Sequence, residues 1–158
     1  MSRTILDRLF ESPEDSTQFA QDFAAILQRG DVVLLSGGIG AGKTHFARGV
    51  IQALLTVPED VPSPTFTLVQ TYETSIGPVW HADLYRLTNA DEVAELGLID
   101  AFGVEVCLIE WPDRLGPDAP DAAVSLEFST TEIEGQRRMR ARATNPAWDE
   151  RLKVLTDD

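Results

Sequence analysis

The sequence predicts a single α/β domain over residues 1–158, with a mostly parallel central sheet to which antiparallel hairpins are added. Three observations carry this. Residues 31–35 are a continuous apolar, β-branched run, as a strand buried on both faces requires, and a glycine-rich turn leads from them into a helical pattern. A second mostly apolar run, 104–110, closes on a carboxylate. Two pairs of short segments separated by turns, one in the middle of the chain and one near its end, read as hairpins. A length of 158 residues suits one domain with a real core, and is too short for two ordinary domains with a linker.

In chain order, residues 4–10 form a short strand. Ser12 then offers a cap, Pro13 fits the first helical position, and Glu14 and Asp15 sit at the positive end of the helix that follows. Phe19, Phe23, Ile26 and Leu27 carry its apolar stripe, which predicts a helix to about Arg29, stopped by Gly30. After the strand at 31–35 and the turn comes a helix over 43–55, with Phe46, Val50, Ile51 and Leu54 on one side. Pro58, Pro62 and Pro64 make a loop; segments 66–72 and 79–83 follow as a hairpin turning at 76–78. Residues 89–98 read as a capped helix, 104–110 as a strand and 112–120 as a surface loop. Segments 123–128 and 136–143 form a terminal hairpin, and Asn145-Pro146 opens a last helix holding Trp148, Leu152 and Leu155.

Charge and composition narrow the function. Asp and Glu number 26 against 13 Lys and Arg, a formal net charge of −13. Such a surface repels phosphate backbones and anionic membranes, so non-specific nucleic-acid or membrane binding is not expected. One cysteine forms no internal disulfide and no zinc cluster, which favours a reducing compartment. The acidic N-terminus does not read as a signal peptide and no apolar run approaches a bilayer span, so a cytoplasmic protein without membrane attachment is expected.

Gly37, Gly42, Lys43 and Thr44 satisfy G-x-x-x-x-G-K-[ST]. The motif follows an apolar strand and opens a helix, as a phosphate loop must. Glycines let successive N–H groups turn inward around phosphate, and the helix N-terminus adds partial positive charge. Gly37, Gly38, Ile39, Gly40, Ala41, Gly42, Lys43 and Thr44 are therefore the expected nucleotide loop, with Lys43 on the β- and γ-phosphates and Thr44 on Mg²⁺. His45 begins the helix beside them; it either joins the cradle or faces solvent. A dinucleotide fingerprint does not fit, because the acidic residues about twenty positions on, Glu59 and Asp60, lie in the proline loop.

Such a site needs a carboxylate at a strand end. Asp83 and Glu110 both close apolar strands, and the division expected is Asp83 on the metal and Glu110 positioning water. Asp100 heads a D-x-x-G match, but no N-K-x-D guanine-reading motif accompanies it. Residues 63–67, S-P-T-F-T, occupy the place of a switch loop, where a threonine can sense the γ-phosphate; a plain loop accounts for them equally well.

Taken together, the loop, S-P-T-F at 63–66, H-A-D-L-Y-R-L at 81–87, the Glu92/Glu95-Leu-Gly97 helix and L-I-E-W-P at 108–112 resemble the bacterial TsaE (YjeE) family over nearly the whole chain. The resemblance implies a P-loop NTPase fold. It also implies an ATP-binding, weakly hydrolysing component of tRNA N6-threonylcarbamoyladenosine synthesis that works with TsaD-like and TsaB-like proteins, meets tRNA only through that complex, and resets it between cycles. It places Lys43 and Thr44 on phosphate and Mg²⁺, Asp83 on the metal and Thr65 in the switch-like loop, with Glu110 and Trp111 in the strand-end motif. The family usually reads G-D-L-G-A-G-K-T-T; here Gly38 stands for the Asp, Ile39 for the Leu and His45 for the second Thr.

Two other readings stay open on the residues alone. A small-molecule or nucleoside kinase would need an acceptor site and an arginine-bearing lid. Arg137, Arg138, Arg140 and Arg142 could be mistaken for one, although their spacing suits one charged strand face balanced by Glu132 and Glu134. A nucleotide-gated binding module without essential turnover would need neither.

Overall fold

The computed structural model describes residues 3–155 apart from 39, 63, 65–67, 88 and 89, and leaves the side chains of 90, 93, 94, 117 and 118 undescribed. Strand β2 (Val32–Gly37) lies at the centre of the sheet because its residues are apolar on both sides. Val33 and Leu35 enter one core cluster, Val32 and Leu34 the other. The remaining strands are β1 (Arg3–Phe10), β3 (Val69–Thr74), β4 (Gly77–Asp83), β5 (Val106–Glu110), β6 (Val124–Thr130) and β7 (Arg137–Ala143). Their order across the sheet is β1-β7-β6-β2-β5-β4-β3. The pairs β6·β2, β2·β5 and β5·β4 are parallel; β1·β7, β7·β6 and β4·β3 are antiparallel. The sheet is therefore mixed rather than mostly parallel. Its middle is parallel as expected, but the edge hairpins and β1 supply as many neighbours.

Helices α1 (Pro13–Ala24), α2 (Lys43–Leu54) and α5 (Ala147–Lys153) belong to the first core cluster. Phe10, Phe19, Phe23, Phe46 and Phe128 form a connected ring cluster there, with centroids 5.4–6.3 Å apart. Helix α3 (Ala90–Glu95), helix α4 (Leu98–Ala101) and a 3-10 segment (Pro112–Asp118) accompany the second cluster, built on Leu34, Leu84, Leu98, Ile109 and Leu115.

Several boundaries differ from expectation. Helix α1 ends at Ala24 rather than Arg29. The backbone tightens into Ile26 N–H to Phe23 O and Leu27 N–H to Ala24 O bonds, and the Asp31 carboxylate accepts from Gln28 N–H at 2.7 Å. Arg151 of α5 then holds Asp31 and the Ile26 carbonyl. The helix expected at 89–98 is divided by Gly97 at φ 77° into α3 and α4, and its expected start at Asn89 lies outside the described residues. The loop at 112–120 is instead a 3-10 segment kinked at Gly116, because Leu115 drives fully into the second cluster. Strand β3 begins only at Val69, after Leu68 turns with φ 69°. No helix among the described residues is long and apolar enough to cross a membrane.

Candidate nucleotide site

Strand β2 runs directly into the glycine loop. At Gly37 (φ 136°) a Cβ would stand 2.3 Å from the Phe128 carbonyl oxygen, so only glycine lets the chain leave β2 beside β6 here. The loop closes with Ala41 N–H donating to Gly38 O, and Gly42 (φ 105°) opens α2. Among the described residues, no side chain caps this helix. Its first N–H groups are thus left for an anion, where the helix dipole is positive.

Lys43 is 5% exposed. Its Nζ donates to the carbonyls of Gly37 at 2.6 Å and Gly38 at 3.0 Å, and lies 4.1 Å from the centre of the Trp111 ring. Burial lowers its pKa from the ordinary lysine value, against the opposing pull of Glu110 and Asp83. Both carboxylates line the same cavity as Lys43. They are neighbours because β4 and β5 run parallel with Asp83 opposite Glu110. Thr44 Oγ1 donates to Glu110 Oε1 at 2.7 Å, and Glu110 Oε2 meets His81 Nε2 at 2.7 Å. Asp83 Oδ1 accepts from Tyr85 N–H at 3.0 Å. The hydroxyl of the phosphate loop is therefore bonded to Glu110.

Lys43, Thr44, Asp83, Glu110 and Trp111 border a cavity of about 600 Å³, a volume within the usual range for ligand sites. Gly40, Ala41, Gly42, Lys43 and Thr44 line it, as do Asp83 and Glu110. Across the loop, Phe10, Ser12, Phe128 and Arg137 extend it. Arg137 Nε donates to Gly40 O at 3.2 Å. His45 borders the cavity, but its Nε2 lies 3.0 Å from both Thr17 Oγ1 and the Pro13 carbonyl, tying α2 to the first turn of α1. Among the described residues, nothing stands within 4 Å of where a Gly38 Cβ would be, so they leave room for a side chain that this sequence lacks. Ile39 and Thr65 lie outside the described residues, as do Ser63, Phe66 and Thr67.

Two site residues escape the sequence reading. Arg137 does not share a face with Arg138, Arg140 and Arg142. It is in phase with the buried Met139 and Ala141, and so turns to the loop side. The other three are outward and pair with Asp7 and Glu127 rather than with Glu132 and Glu134. His81 stands two residues before Asp83 on one strand; that spacing, which returns a side chain to the same face, was the available signal.

Among the described residues, no group of three or more His, Cys, Asp or Glu converges as a metal site. One hydroxyl beside one carboxylate, completed by phosphate oxygens and water, is a donor set that suits nucleotide-bound Mg²⁺.

A family model described as "Threonylcarbamoyl adenosine biosynthesis protein TsaE" matches residues 10–139. A tRNA threonylcarbamoyladenosine biosynthesis protein TsaE from Rickettsia bellii is 43% identical over 112 residues, covering 71% of this chain and 75% of the relative. The Rickettsia felis protein of the same name is 40% identical, over 66% of this chain and 61% of its own length. The crystal structure of Bacillus subtilis YdiB superposes with a TM-score of 0.79 at 26% identity, over 99% of this chain and 96% of that one. With a family match across the phosphate loop, both strand-end carboxylates and Arg137, the chain belongs to the TsaE family.

Proposed function

We propose that the protein is the ATP-binding, slowly hydrolysing component of tRNA N6-threonylcarbamoyladenosine synthesis, acting on adenosine 37 together with TsaD-like and TsaB-like proteins. Family membership supports the pathway. The observation that carries the chemistry is the bond from Thr44 to Glu110 beside a glycine loop whose helix has a free N-terminus.

Lys43 would exchange the Gly37 and Gly38 carbonyls for β- and γ-phosphate oxygens, gaining a charge-assisted contact. The N–H groups of the loop and of the first turn of α2 would hold the remaining phosphate charge. Thr44 and Glu110 would hold Mg²⁺, which when bound neutralises charge on the phosphates. Asp83, one strand over, would orient the attacking water or a metal-bound one. This exchanges the roles expected from the sequence, and the Thr44–Glu110 contact is the reason. Ile39, His45 and Thr65 would contact the same nucleotide from the loop side and the switch side. The kinase alternative is weakened by the outward pairing of Arg138, Arg140 and Arg142, which leaves them no part in a lid.

The test is a reconstituted tRNA modification reaction with and without this chain. Slow ATP hydrolysis alone, faster hydrolysis with both partners, and modification over repeated cycles only when the chain is present are expected. Unchanged product formation in its absence would contradict the proposal.

A further inference from the structure

His81 is fully buried on β4, and Glu110 is 2% exposed on β5. The parallel register sets His81 opposite Leu108 and Asp83 opposite Glu110, so the imidazole stands one step below the carboxylate on the same face of the sheet. Glu110 Oε1 is engaged by Thr44 and Oε2 by His81, each at 2.7 Å. An ionised carboxylate only accepts, so Nε2 carries the proton and donates. Among the described residues, Nδ1 then has no hydrogen-bond partner. A buried polar atom left unmet is destabilising, and an aliphatic side chain of similar size in this core would avoid that loss. The polar contact His81 does make is directed at Glu110.

We propose that His81 is a positioning residue for the nucleotide-bound metal. Its Nε2–H occupies Oε2, fixes the plane of the carboxylate and leaves Oε1, already beside Thr44, as the oxygen presented to the cation. The inference rests on the assignment of Thr44 and Glu110 to Mg²⁺ made above. It also bears on which metal is chosen. Mg²⁺ requires near-octahedral geometry, whereas Ca²⁺ accepts bidentate carboxylates. A carboxylate held at Oε2 cannot swing to offer both oxygens, so His81 favours Mg²⁺ over Ca²⁺.

The experiment is titration calorimetry of ATP with Mg²⁺, with Ca²⁺ and with EDTA. It uses the unsubstituted protein, His81→Leu, His81→Asn and His81→Gln, each checked for folding by circular dichroism. Outer partners of metal ligands typically matter by 10- to 100-fold. His81→Leu is expected to lose about tenfold of the Mg²⁺-linked gain in ATP affinity, to discriminate less between Mg²⁺ and Ca²⁺, and to keep its affinity in EDTA. His81→Asn, polar but too short to reach Oε2, is expected to behave the same way and serves if Leu does not fold. His81→Gln, with an N–H donor of longer reach, is expected to recover part of the gain. Full Mg²⁺ enhancement in the Leu or Asn variant overturns the role of His81 alone, and so does an equal loss in EDTA. Absence of any Mg²⁺ enhancement in the unsubstituted protein overturns the metal assignment and this role with it.

Discussion

Glu110 carries the heaviest demand of any single residue in the site, because a nearly buried carboxylate is satisfied by one donor on each oxygen. Removing its charge is therefore expected to act on the metal first. Glu110→Gln should lose most of the Mg²⁺ dependence of ATP binding, at least tenfold or about 1.4 kcal/mol. Asp83→Asn should keep that dependence and lose turnover. Magnesium titrations paired with hydrolysis rates separate the two, and the opposite pattern would restore the division read from the sequence. Cys107 provides a pH test elsewhere in the core. Burial, reinforced by Glu105, pushes its thiol up to about 12 from the ordinary cysteine value near 9.0. It should resist thiol reagents at pH 8 until the protein unfolds. Because the folded state holds this proton more tightly, the associated stability is present below pH 9 and declines as pH rises toward 12. Rapid labelling of the native protein at pH 8 would contradict the burial. The loop residues were legible because they are adjacent in sequence and their chemistry is local. Arg137 and His81 were not, since their roles depend on which face of the sheet each strand turns to the loop.

At the scale of elements, the packing of α1 on α2 depends on a close approach at Gly49. A Cβ there would stand 2.9 Å from Ala20 Cβ, a group that has no rotamer to move away with. Helix propensity alone favours Gly49→Ala by about 1 kcal/mol. Overpacking opposes it by about 1–3 kcal/mol. The substitution is expected to be net destabilising, read as a lower urea midpoint, and a higher midpoint would show that the helices separate at little cost. The strand–loop–helix unit, the two hairpins and the opening of α1 were readable because their signals are short-range: an apolar run, alternation, and the Ser12 side chain accepting from Asp15 N–H. The ends that sequence misplaced are fixed by distant partners. Asp31 and Arg151 end α1 early, and burial of Leu115 coils a segment whose Gly, Pro and Asp content reads as loop.

For the molecule as a whole, charge and topology favour the proposed nucleotide site over direct contact with tRNA. A net charge of −13 repels a phosphate backbone, and the outward arginines of β7 are already paired with Asp7 and Glu127. The isolated chain is expected to leave tRNA unshifted in gel retardation at roughly micromolar protein in physiological salt. Tight retention of tRNA by the chain alone would show that a local basic surface outweighs the mean field. The parallel middle of the sheet, by contrast, converges its strand ends on the loop, so that Lys43, Thr44, Asp83 and Glu110, drawn from α2, β4 and β5, meet around one cavity. On the proposed function, this cavity binds ATP through Lys43. This is tested most directly by calorimetric titration of ATP with Mg²⁺ into the unsubstituted protein and into folded Lys43→Ala. Saturable binding is expected in the first and a loss of at least tenfold in the second, about 1.4 kcal/mol or more. An unchanged dissociation constant in Lys43→Ala would contradict it.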